Sequence, residues 1–130
     1  MKHLKTFEAT IEDNDHTKPP QPGDYVICEE ENSNLANLEY FLENNIGQFI
    51  KYRTPNDENV NYRTIPNKHS YIVQYHNPKP PLAIINYFKY SNRYNNCRFM
   101  SIDEIKYWSP NKKELENILE IRSLSNKFNI

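Results

Sequence analysis

Rings alternate with bases most densely in Tyr87-Phe88-Lys89-Tyr90-Ser91-Asn92-Arg93-Tyr94-Asn95-Asn96-Cys97-Arg98-Phe99. Aromatic faces stack on bases and cations follow phosphates, so this interleaving suits single-stranded nucleic acid. Lys51, Arg53, Arg63 and Lys68 would extend such a surface. The plainer reading is a solvated loop beside a sheet whose tyrosines are half-buried. The sequence pI of about 6.4 favours that reading, because a dedicated nucleic-acid domain usually exceeds about 9.

A second aromatic group is Tyr107-Trp108, joined by Tyr25 or Tyr52. Rings so gathered bind cations through the quadrupole, or line a groove for an extended peptide. The competing role for Trp108 is core anchor, since the lone Trp of a small domain is usually its largest core residue. The candidate partner-binding residues are therefore Tyr52, Arg53, Lys89, Tyr90, Arg93, Tyr94, Arg98 and Trp108.

Chemistry beyond binding finds no such support. His69, His76, Cys28 and Cys97 lack metal-ligand spacing, and the two histidines, seven apart, fall on opposite faces of an extended strand. No Ser–His–Asp set, paired carboxylates or phosphate loop is legible. Asp24, Asp103 and Glu104 read as turn residues and caps. The two cysteines read as buried free thiols, a disulfide being expected only in a secreted protein. The expectation is a non-enzymatic protein with no catalytic residue, no metal and no cofactor.

Composition sets the frame. At 130 residues the length predicts one domain. Apolar content is 37% and aromatic content 13%, so the core is built from rings more than aliphatics. The abundance of Asn, Lys, Ile and Tyr fits A/T-rich coding and hints at a virus, a phage or a low-GC microbe. The net charge of −1 hides a split. Residues 1–50 hold three Lys and no Arg against ten acids, a balance of −7, while residues 51–130 hold thirteen bases against seven acids, +6. Such halves meet within one chain or between chains, or face a charged partner. Met1-Lys2-His3-Leu4-Lys5 has no apolar run behind it and no later run reaches membrane-span length. The expected place is the cytoplasm or a virus particle, without secretion or membrane insertion.

These candidates need elements to hold them. Residues 1–22 read as an acidic arm, with Phe7–Ile11 a short strand or helical turn, ended by Pro19-Pro20-Gln21-Pro22. Strands are predicted at Asp24–Glu29, Ile46–Arg53, Ser70–His76, Arg98–Met100 and Ile105–Trp108. In the first, Val26 and Cys28 share one face and Tyr25 and Ile27 the other. Between the first two strands, Leu35, Leu38, Phe41 and Leu42 mark a short helix, with Asn32-Ser33-Asn34 before it and Asn44-Asn45 ending it. Asn77-Pro78-Lys79-Pro80-Pro81 breaks the chain, and Leu82–Phe88 reads as either a strand or a short helix. Ser101–Glu104 reads as a tight helical turn. Ser109 as N-cap and Pro110 at the first position open a last helix, striped by Leu115, Ile118 and Leu119 and continued by Leu124 and Phe128. The only two glycines, Gly23 and Gly47, predict a turn and a bulge.

Gly23-Asp24-Tyr25-Val26, Gly47-Gln48-Phe49-Ile50, Tyr71-Ile72-Val73-Gln74-Tyr75 and the strand–turn–strand of Arg98–Trp108 together resemble SH3-like small barrels of the KOW and Tudor kinds. The resemblance covers residues 23–108. It implies a mainly β (α+β) fold: a five-stranded SH3-like barrel with a helical insertion after the first strand, preceded by the 1–22 arm and followed by a helix and tail at 109–130. It also implies a binding module. The first expectation is a protein-interaction module, an adaptor, inhibitor or assembly component. The alternative is a single-stranded RNA or DNA binder using 87–99. A protein partner, no membrane and a possible homo-oligomer complete the expectations.

Overall fold

The computed structural model describes residues 18–30, 35–54, 68–88 and 96–128. Five short strands form one antiparallel sheet: β1 (Tyr25–Cys28), β2 (Gly47–Tyr52), β3 (Tyr71–Gln74), β4 (Cys97–Met100) and β5 (Ile105–Ser109). Their order is β4-β3-β2-β1-β5. Helix α1 (Ala36–Asn44) lies between β1 and β2 in sequence, and α2 (Lys112–Phe128) follows β5. The fold is thus mainly β with two helices. The sheet is not closed into a barrel: among the described residues β4 and β5 are its two edges.

Period-two alternation decides what each face carries. Val26 and Cys28 point to one side, with Phe49, Val73, Tyr75, Met100 and Ile105. Leu38, Phe41 and Leu42 of α1 cover that side, together with Ile84 and Phe88. This is the main core. Ile27 and Tyr25 point to the other side, where Leu115, Ile118 and Leu119 of α2 pack on them. Farther along that second side, Ile72, Cys97 and Phe99 form a smaller cluster with Ile50.

The glycines divide their work. Gly23 sits at φ +101°, in the turn before β1, which a side chain would strain. Gly47 marks a close approach rather than the expected bulge. A Cβ there would lie 2.7 Å from Val73 Cγ1 and 2.8 Å from Tyr75 Cζ. The register instead slips by one residue between Phe49 and Lys51 in β2 and between Tyr107 and Ile105 in β5.

One open alternative is settled in favour of a helix, and two local expectations are corrected. Leu82–Phe88 resolves as a turn followed by a 3-10 helix at Ile85–Phe88, in keeping with a proline-led start that removes strand donors. Helix α2 is capped by Asn111, whose side-chain oxygen accepts from Lys113 N at 3.0 Å. Ser109 belongs instead to β5, paired with Tyr25, and its hydroxyl accepts from Asn111 N at 3.0 Å while donating to Glu114 at 2.8 Å. Leu124 is half exposed. The capping roles hold. Glu104 and Ser101 form a capping box around the 3-10 turn Ile102–Glu104, and Asp24 accepts from Gln21 N at 2.9 Å. At the end of α1, the Asn44 and Asn45 amides donate to Tyr40 O and Phe41 O at 2.8 Å.

Candidate functional site

Beyond the bulge in β2, Tyr52 returns to the core side and pairs with Tyr71. Three rings then meet at the margin of the main core. Phe49 lies 5.0 Å from both Tyr52 and Tyr71, and those two lie 5.5 Å apart, all tilted or edge-on. Tilted and edge contacts suit the ring quadrupoles and add to area burial. Phe49 is fully buried, whereas Tyr52 keeps 44% of its surface exposed. Burial, then the neighbouring Tyr52, raises the Tyr71 hydroxyl above its ordinary pKa.

Trp108 completes this margin. It pairs with Val26 across β1 and β5, so it shares the core side, against which it is partly buried. It is a rim residue; among the described residues the largest fully buried side chain is Tyr75. Tyr107, next to it, points to the opposite side beneath α2, where the Arg122 guanidinium lies 5.5 Å from its ring. Tyr25 also lies on that side, with the Lys112 ammonium 5.9 Å from its ring. Strand alternation therefore separates Trp108 from Tyr107 and Tyr25 and leaves it with Tyr52.

One segment bridges the two remaining members. The Trp108 indole N–H donates to Lys18 O at 3.1 Å, and the Tyr52 hydroxyl donates to Pro20 O at 3.4 Å. Pro20 is buried while Lys18 and Pro19 are exposed. Immediately after this strap the chain is fixed to the sheet. Gly23 N donates to Phe49 O at 2.7 Å and Phe49 N to Asp24 O at 2.8 Å, and the Gln48 amide donates to Gly23 O at 3.1 Å.

The other candidate cations do not join these rings. Arg53 places its guanidinium 5.3 Å from the Phe99 ring, in the smaller cluster on the second side. Arg98 pairs with Val73 and spans the far end of the core side. It donates to Glu30 at 2.6 Å and to Tyr87 O at 3.0 Å. Both partners of that ion pair are largely buried. Lys89, Tyr90, Arg93 and Tyr94 lie outside the described residues, as do Arg63 and residues 1–17.

The far end holds a buried polar cluster around Glu104, the residue expected as a cap. Glu104 is 1% exposed. Its Oε1 accepts from Ser101 N at 3.0 Å and lies 3.4 Å from His69 Nδ1. Cys28 and Tyr75, both fully buried, interact with each other and feel the charges of Arg98 and Glu104. Burial is the leading cause that lifts the Cys28 thiol from 9.0 to about 12, partly offset by its contact with the Tyr75 hydroxyl. A thiol held protonated is a poor nucleophile. Tyr75 Oη, Arg98 Nε and Glu104 Oε2 make no well-formed hydrogen bond among the described residues. Arg98 and Glu30 thus form a largely buried ion pair, and Glu104 a buried cap on Ser101.

Both cysteines are free. They lie on opposite sides of the sheet, and burial lifts Cys97 to about 12 as well. Among the described residues no group of three His, Cys, Asp or Glu side chains converges as metal ligands would. Nor, among them, is any helix long and apolar enough to cross a membrane. The sequence reading missed Tyr71 and the strap. Their signals were the spacing of Tyr52 and Tyr71, which end two paired strands, and the acceptor-rich prolines before Gly23. No protein-family model matches the chain, and neither the curated proteins nor the solved structures contain a match to it.

Proposed function

We propose that this chain is a non-enzymatic protein-interaction module, an adaptor, inhibitor or assembly component, and that its binding surface is the aromatic rim of Tyr52, Tyr71 and Trp108. The observation that carries this reading is the direction of two polar tips. The Trp108 N–H and the Tyr52 hydroxyl both donate to main-chain carbonyls of one segment, at Lys18 and Pro20. Rings that lie against a chain and hold its carbonyls are the elements of peptide recognition, and Tyr and Trp are enriched at interfaces because they are large, stiff and polar-tipped. The SH3-like small barrel remains the finer fold proposal. It is supported by the strand order and by the 3-10 turn between β4 and β5.

Nucleic-acid binding through 87–99 is less well supported. Arg98, one of its cations, is committed to Glu30 and Tyr87 O. A library of extended peptides displayed on phage and selected on the full chain tests the two readings together. Expected are peptides that bind the unmutated chain and lose affinity on Trp108→Phe, which removes the indole donor. Single-stranded RNA and DNA should not bind at low salt. Oligonucleotide binding that falls steeply with salt, with no peptide selected, would overturn the reading.

A further inference from the structure

The rim and the strap are complementary in a way that specifies a class of peptide. An indole offers only a donor, and both rim contacts are donations to carbonyls. A proline run is the matching chain. It lacks backbone N–H groups, so it cannot join a strand ladder, and its extended form leaves every carbonyl unused internally. Carbonyls two residues apart in such a segment stand roughly 6 Å apart, at about 3.1 Å per residue. Lys18 O and Pro20 O have this two-residue spacing, and the proline between the rings and the turn is buried.

The attachment is also local. The strap ends at a turn in which Gln21 N reaches the Asp24 carboxylate and Asp24 N reaches Gln21 O, both at 2.9 Å, with Gly23 at φ +101°. From Gly23 onward the chain is bonded to β2. Residues 18–20 thus lead directly into a chain fixed to the sheet, and the Trp108 and Tyr52 side chains donate to their carbonyls on the rim.

We propose that the aromatic rim is a groove for proline-rich extended peptides of a partner protein, and that Lys18-Pro19-Pro20 occupies it as an internal ligand. The inference rests on the interaction reading above and names its partner class and its regulation. A tethered segment competes at the effective concentration of its short connection, so the unmutated chain binds such peptides weakly until the strap is displaced.

The test uses the full chain and the emission of Trp108, its only tryptophan. The probe is a synthetic peptide copying residues 17–22, with a second version in which both Pro19 and Pro20 are replaced by glycine. Each is titrated into the unmutated chain and into a chain carrying Pro19→Gly and Pro20→Gly. The expected result is saturable binding of the proline peptide to the substituted chain, tighter than to the unmutated chain by about tenfold or more, and a glycine peptide weaker by a similar factor. Should the substituted chain lose its cooperative melt, Pro20→Ala alone is titrated by the same criteria. Equal binding of the two peptides overturns the proline inference and leaves the interaction reading standing. Binding of neither peptide to a chain that still melts cooperatively also overturns it, and the phage-selected peptides then decide the interaction reading separately.

Discussion

Two aromatic triads stand on one side of the same sheet and meet water differently. Phe41, Tyr75 and Phe88 sit 5.2–5.6 Å apart, edge to face, and all are buried, Phe41 carried by α1 and Phe88 by the 3-10 helix. Phe49, Tyr52 and Tyr71 sit 5.0–5.5 Å apart, but only Phe49 is buried, and the Tyr52 hydroxyl reaches the carbonyl of Pro20 in the strap. In the first triad the tyrosine hydroxyl is walled in beside a buried thiol. In the second it donates outward to a backbone carbonyl. Ring content alone does not separate packing from recognition. The direction of the polar tips does, because a tip aimed at a main-chain carbonyl can exchange that carbonyl for another.

If the far end is structure and the rim is function, substitutions should divide accordingly. The largest effect is expected at the far end. Arg98→Met removes the guanidinium that Glu30 accepts from within a largely buried pair, and breaking such a pair costs about 3–5 kcal/mol. Urea unfolding measures it, and a loss below 1 kcal/mol would mean that water reaches the pair freely. Next is Gly47→Ala, whose Cβ would meet Val73 and the Tyr75 ring. Overpacking of this kind costs about 1–3 kcal/mol. Its melt should shift while strap contacts persist, since the collision falls on the sealed triad. At the rim, Tyr52→Phe loses one long hydrogen bond and should cost about 1 kcal/mol or less in stability, yet weaken peptide binding.

The buried thiols sharpen the comparison through pH. Cys28 and Cys97 are raised from 9.0 to about 12 by burial, so the folded chain keeps protons that the unfolded chain releases. Their contribution is fully present below pH 9.0 and declines as pH rises from 9.0 toward about 12. Tyr75, also raised by burial, acts with the same sign from 10.0 upward. Melting temperature should fall above pH 9 and fall less steeply in Cys28→Ala. A slope unchanged by that substitution would place the alkaline sensitivity elsewhere.

Much of the scaffold was legible because it obeys simple periods. Val26 and Cys28 against Tyr25 and Ile27, and Leu38, Phe41 and Leu42 on one helical face, follow from alternation by two and by 3.6. Glu104 as a cap is local chemistry, and so was readable. The site was less legible, since it depends on a one-residue register slip that returns Tyr52 to the core side. It also depends on strand alternation that parts Trp108 from Tyr107, although the two are neighbours in sequence. The strap joins residues 90 positions apart, which no local window contains. Gly47 was misread for a related reason: the ring it accommodates arrives from Tyr75, just beyond β3, through tertiary packing.

The account rests on the rim being a separable surface closed by residues 18–20, and the Trp108 indole N–H reports on it directly. Nitrogen–proton correlation spectra of the full chain and of a chain lacking residues 1–20 should differ in that single indole resonance, moved upfield as its hydrogen bond to Lys18 O is lost. The accompanying changes should fall on Phe49, Tyr52 and Tyr71 and spare Cys28 and Glu104. An indole resonance that stays in place, or changes spread evenly over the sheet, would contradict the account.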